Sequence, residues 1–177
     1  VIGSSMHIAM HAFGKITLFF CAGAILVTLH KSKISEMRGI GRQMPLTMIA
    51  FFIASLSIIG VPPAGGTWSK WYLMMGTIET EQFVLMVILM LSSLLNIAYL
   101  LPIPFHAFFP NLMSFKESMN VTNKSETSEN KLSGFEIKEA PLPSLIAIVV
   151  TTIGCLMLFI YPQPLFELAS AVLTGRE

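Results

Sequence analysis

Long apolar stretches alternate with short polar ones along the chain, and the stretches have the length of membrane helices. A membrane helix takes about 20 apolar residues, at about 1.5 Å each, to cross about 30 Å of hydrocarbon. Ile2 to Leu29 is apolar apart from His7, His11, Lys15 and small hydroxyls, and His30, Lys31 and Lys33 close it. The pattern predicts a span over residues 2–29. A second apolar stretch begins at Pro45, a good first-turn residue. It meets Gly60-Val61-Pro62-Pro63-Ala64-Gly65-Gly66 and then resumes to Ile78. A third runs over residues 82–101 and is expected to halt at Pro102 and Pro104. The fourth is Leu142 to Tyr161, bounded by Pro141 and Pro143 before it and by Pro162 and Pro164 after it.

The second stretch is the ambiguous one. Residues 45–78 would measure about 51 Å as one straight helix. That is too long for one simple span and short for two. Cytoplasmic loops are enriched in Lys and Arg, so charge arbitrates. A single crossing, made of two half-helices with a break, puts Lys31, Lys33, Arg38 and Arg42 on the same side as Lys116, Lys124, Lys131 and Lys138. Two crossings would split these groups between opposite faces. The broken single crossing is therefore expected, with loops 30–44 and 102–141 cytoplasmic. The predicted fold is all-α: a polytopic bundle of about four transmembrane helices, one of them broken. Residues 1–105 hold the first three spans, 106–141 a polar connector, 142–162 the last span, and 163–177 a tail with apolar residues at helical spacing that suits the membrane interface.

Composition agrees with the pattern. Of 177 residues, 54% are hydrophobic and 12% charged, and mean hydropathy is +0.72. A soluble domain carries about 25% charged residues. This balance excludes a soluble enzyme, a disordered scaffold and a disulfide-knit secreted domain. The net charge of +1 leaves no electrostatic footprint for nucleic acid. Cys21 and Cys155 lie inside apolar runs and read as small core residues. Asn120 and Asn123 open glycosylation sequons, which carry no meaning in a cytoplasmic loop. Val1 follows no signal-peptide pattern, so the chain reads as the C-terminal part of a longer membrane protein.

Ionisable groups inside membrane spans are costly and are functional suspects by default. His7, His11 and Lys15 are spaced i, i+4, i+8, so they line one helical face at about 40° intervals. From His7 to Lys15 is about 12 Å of rise, which reaches from near one surface to the middle of the bilayer. Groups one turn apart with accessible proton affinities have the geometry of a proton relay. The plainer alternative is that they only bond to neighbouring helices. A zinc site fits poorly, because the metalloprotease pattern needs Glu directly after the first His and Ile8 stands there. No metal is expected.

Lys70 follows the break. Pro62 and Pro63 remove backbone donors, and Gly60, Gly65 and Gly66 loosen the chain. Broken helices at membrane depth are tolerated where they are buried in protein or line a wet cavity, and transporters use them for ion sites. Burial and the positive N-terminus of the following half-helix both disfavour the ammonium form. That would let Lys70 gain and lose a proton at working pH; the alternative is snorkelling to the interface. Ser92, Asn96 and Tyr99 share a face of the third span and suit interhelical hydrogen bonds or a polar channel lining. Trp68, Trp71 and Tyr72 suit interfacial anchoring or packing.

These motifs together resemble a known family. His7-Ile8-Ala9-Met10-His11-Ala12-Phe13-Gly14-Lys15, Met37-Arg38-Gly39-Ile40-Gly41, Met44-Pro45, Gly60-Val61-Pro62-Pro63 and Gly65-Gly66-Thr67-Trp68-Ser69-Lys70 are similar to the antiporter-like subunits of respiratory complex I. Mrp-type cation/proton antiporters and membrane-bound hydrogenases share them. Pro102-Ile103-Pro104-Phe105-His106 looks closest to the MrpD-like branch. The resemblance covers roughly residues 1–110. It implies an inverted-repeat bundle, of which this chain supplies the later part of the second repeat and the last helix. It also implies that Lys70 ends the proton path and that His7, His11 and Lys15 lead toward a central hydrophilic axis. Thr67 departs from the family, which often has an aromatic residue there.

The expected function is proton translocation, with Na+ as an alternative coupled ion, by a subunit of a multi-subunit assembly in a bacterial or archaeal membrane. Other membrane subunits and lipid are the expected partners. No Cys cluster, haem motif or nucleotide fingerprint is present in the sequence, so no cofactor and no redox step of its own are expected. The alternative is a structural or assembly subunit without an ion path.

Overall fold

A computed structural model describes residues 2–109 and 138–175. The described residues form helices with short connections and no strand. Helix α1 is Ile2–Leu29, followed by two 3-10 turns at Ile34–Met37 and Ile40–Arg42; α2 is Pro45–Ile59, α3 Gly66–Glu79 and α4 Phe83–Leu100. Then come α5 at Pro102–Phe108, α6 at Leu142–Ile160 and α7 at Gln163–Thr174.

Helix α1 is the hub and packs on α2, α3, α6 and α7. Its buried residues are Gly3, Met6, Met10, Gly14, Thr17, Cys21, Ala24 and Ile25. Steps of three and four residues keep such a seam on one face, and its small members let other helices approach closely. The largest core joins Cys21, Ala24 and Ile25 of α1 to Met48 and Phe51 of α2, Ala107 of α5 and Ile148 of α6. In lipid the apolar exterior is no liability. Exposed Val84, Leu91 and Leu95 of α4 and Ile146 and Val150 of α6 suit a hydrocarbon-facing or partner-facing surface.

Three helical segments are long and apolar enough to cross a bilayer: Ile2–Leu29, Phe83–Phe108 and Leu142–Ile160. The chain is an integral membrane protein. The second stretch is interrupted where the sequence placed the break, and neither half is long enough to cross by itself. Pro45 occupies the first turn of α2 and Gly60 caps its end with φ 84°, a left-handed geometry that glycine adopts without steric cost.

One boundary is corrected. Pro102 and Pro104 do not halt the third span: the helical path resumes as α5, so the candidate span is Phe83–Phe108. Pro102 sits in the first turn of α5, where the missing N–H needs no helical partner.

The polar connector 106–141 is anchored at both ends. Gly39 donates its N–H to the His106 carbonyl at 3.3 Å, and Lys138 donates its N–H to the Gln43 carbonyl at 3.0 Å. The Glu139 carboxylate accepts the Leu46 N–H at 2.8 Å and the Thr47 hydroxyl at 3.0 Å. It thereby satisfies orphan donors at the positive end of α2. Lys116, Lys124 and Lys131 and the sequons at Asn120 and Asn123 lie outside the described residues. The tail forms α7, whose Ala169 and Leu165 pack on Met6 and Met10 of α1.

Candidate functional site

The break brings the end of α2 against the start of α3. The geometry depends on two glycines. A Cβ on Gly66 would collide with the Ser57 carbonyl oxygen, and one on Gly60 would stand 2.5 Å from Lys70 Cδ. Gly65 donates its N–H to the Cys155 carbonyl at 3.1 Å, which fixes the start of α3 to α6. Pro62 and Pro63 are exposed on the connecting turn.

Lys70, half-buried, reaches back across this turn. Its ammonium donates to the Ile59 carbonyl at 2.7 Å and to Ser93 Oγ at 2.8 Å. Ile59 is the last residue of α2, so its carbonyl is one of the helix's orphan acceptors. Lys70 lies early in α3 in sequence, yet its charge sits at the negative end of α2. The expected opposition from the α3 N-terminus is therefore offset by an attractive α2 C-terminus. The ammonium faces a cavity of about 360 Å³, lined by Ile59, Gly60, Lys70, Trp71 and Ser93 among others.

The polar row on α1 is drawn toward the same place. His7 and His11 stack with ring centroids 5.5 Å apart, and both are half-buried. His7 Nδ1 lies 3.0 Å from Ser69 Oγ, one residue before Lys70. Both histidines lie within electrostatic reach of Lys70. Lys15 stands apart: it is exposed on the outer side of α1.

Ser93, not Ser92, makes the contact from α4. Ser92 and Tyr99 are exposed; the Tyr99 hydroxyl donates to Asn96 Oδ1 at 2.7 Å. The expected polar face therefore satisfies part of itself, and the residue that meets Lys70 lies one position along. Ser69 and Ser93 were both missed from sequence. Ser69 had a signal, since it sits inside the quoted Thr67-Trp68-Ser69-Lys70 run. Ser93 had only its place beside Ser92. Trp68 and Tyr72 serve packing: the Trp68 indole donates to the Phe159 carbonyl at 2.9 Å, and Tyr72 stacks on Phe166 at 5.5 Å.

Relatives carry the same region. The chain is 40% identical over 110 residues to NADH-quinone oxidoreductase subunit N of Desulforudis audaxviator, covering 62% of this chain and 22% of that protein. It is 27% identical over 176 residues to F(420)H(2) dehydrogenase subunit N of Methanosarcina mazei, covering 94% and 32%. It is 38% identical over 72 residues to hydrogenase-4 component B of Escherichia coli, covering 41% and 11%. The chain thus spans between 11% and 32% of the length of these curated relatives. Residues 1–96, which hold the His row, the break and Lys70, match the family described as NADH:quinone oxidoreductase/Mrp antiporter, TM. The chain belongs to that transmembrane family.

Proposed function

We propose that the chain forms part of a subunit that translocates protons, with Na+ as the alternative coupled ion, inside a multi-subunit membrane assembly. The proton moves along His7, His11 and Lys15 on α1 and exchanges with Lys70, through water where the gaps are too long for direct bonds. The observation that carries this reading is the seat of Lys70. An intramembrane ammonium is held by one backbone carbonyl and one hydroxyl beside a cavity, with no carboxylate bonded to it among the described residues.

Such a seat is suited to reversible deprotonation. Two neutral acceptors hold the ammonium, so losing the proton leaves no buried anion behind. The amine can still donate to Ile59. A charge arriving nearby could then set which form prevails, because Coulomb energies grow as the effective dielectric falls. Redox chemistry belongs elsewhere in the assembly in this reading. The relatives' names, a quinone oxidoreductase, an F(420)H(2) dehydrogenase and a hydrogenase, suit a shared ion-moving part coupled to different drivers. Loops 30–44 and 102–141 face the cytoplasm of a bacterial or archaeal cell.

The test is Lys70→Ala in the complete protein within its assembly. Proton transport into vesicles should be lost while the amount of assembled complex is unchanged. Transport at the normal rate would overturn the role given to Lys70.

A further inference from the structure

The contact between His7 and Ser69 carries more information than proximity. Ser69 is fully buried, and its hydroxyl lies 3.0 Å from His7 Nδ1 and 3.0 Å from the Gly66 carbonyl. A hydroxyl has one hydrogen and two lone pairs. The Gly66 carbonyl can only accept. If the hydroxyl hydrogen pointed at Nδ1, two oxygens would face each other at 3.0 Å with no hydrogen between them, in a buried site. The satisfied arrangement sends the Ser69 hydrogen to Gly66, and Ser69 Oγ must then accept from His7.

We infer that Ser69 is a positioning residue for His7: it accepts the Nδ1–H, holds the ring in the Nδ1–H tautomer, and leaves Nε2 as the nitrogen that exchanges the relayed proton. The hydrogen bond on one ring nitrogen sets which nitrogen carries the proton. The Nδ1 side is a dead end, because a proton handed to Ser69 could go only to a backbone carbonyl. The balance closes at Nε2. The neutral ring takes a proton there and becomes imidazolium with Nδ1–H still on Ser69; it returns to neutral by releasing the proton from the same atom. The titratable groups that act on His7 are His11 on its own helix and Lys70 on α3, so both neighbours must be served from the Nε2 side. The inference rests on the relay proposed above for the use made of Nε2; the tautomer itself does not depend on it.

The experiment is ¹⁵N NMR of the complete protein with labelled histidine, in lipid, at a pH where His7 is neutral. The His7 signals are assigned by their loss in His7→Gln. The wild type should show the Nδ1–H tautomer, Ser69→Thr should keep it, and Ser69→Ala should shift His7 toward the Nε2–H form. An Nε2–H tautomer in the wild type would overturn the inference, and this needs no variant of Ser69 to fold. An unchanged His7 spectrum in Ser69→Ala would also overturn it. Transport in His7→Gln separates the two readings: normal transport there removes His7 from the relay whatever its tautomer.

Discussion

The ammonium of Lys70 lies 2.7 Å from the carbonyl oxygen of Ile59, the residue that ends α2. One side chain thereby joins the two halves of the broken segment. A charge-assisted bond of this length is roughly twice as strong as a neutral one, and it falls where the α2 dipole is negative. In a membrane the pairing also matters for α2 itself, because an unpaired carbonyl in hydrocarbon is costly. The residue proposed to exchange the proton is therefore also the cap of the helix before it.

The second partner of Lys70 can be tested without touching that cap. Ser93→Ala removes one hydrogen bond to a charged group, worth about 1.5–3 kcal/mol, and keeps the Ile59 contact. Transport per complex should fall several-fold, with assembly intact. Ser92→Ala, one residue away and exposed, should leave transport unchanged. Measuring proton uptake by vesicles holding each variant checks both; equal rates for the two would remove Ser93 from the site.

Gly66 should tolerate no side chain. A Cβ there meets the Ser57 carbonyl oxygen, a backbone atom that cannot swing away. Gly66→Ala should force α3 off α2 and cost about 1–3 kcal/mol by overpacking. The expected result is a lower yield of assembled complex and a lower thermal midpoint in detergent. Gly76, which has open space around its Cβ position, is the control, and Gly76→Ala should be stable.

Lys15 distinguishes the relay from a purely structural polar row. It is exposed on α1, so Lys15→Met should leave the packing of α1 on α2 and α6 untouched. The expected outcome is a normal amount of complex with reduced transport per complex. Loss of assembly with normal transport per surviving complex would favour the structural alternative instead. Quantifying the complex in membranes alongside vesicle transport resolves the two.

Glu139 should act on stability alone. Its carboxylate caps α2 from a distant part of the chain. Glu139→Gln keeps an acceptor but loses the charge at a helix N-terminus, worth about 0.3–1 kcal/mol. Glu139→Ala loses the cap itself, about 0.5–2 kcal/mol. Thermal unfolding of the purified complex should rank wild type above Gln above Ala. Transport per folded complex should stay constant, since Glu139 touches neither Lys70 nor the histidines among the contacts seen.

The sequence was most readable where local physics governs. Apolar runs of membrane length located α1, α4 and α6, and the Gly/Pro cluster located the break, because a backbone without donors and with free φ cannot continue a helix. It misread Pro102, since a proline can begin a turn as well as end one and only the path of the following residues tells which. It found Lys70 and the His row, because charge in an apolar run is conspicuous. It could not find their partners, because Ser69 and Ser93 are ordinary residues by composition.

From the order of residues alone come the membrane class, the helical elements, the break and the conspicuous ionisable groups, and the family follows from their motifs. All of these depend on neighbours a few positions apart. The end of α2 at which Lys70 places its charge, and which of two adjacent serines faces it, depend on how α2, α3 and α4 pack. So does the bond between His7 and Ser69, across 62 positions. Those relations arise from the angle taken at Gly60 and the close approach at Gly66. The bilayer fixes that spans exist; the packing of backbone on backbone fixes which atoms meet.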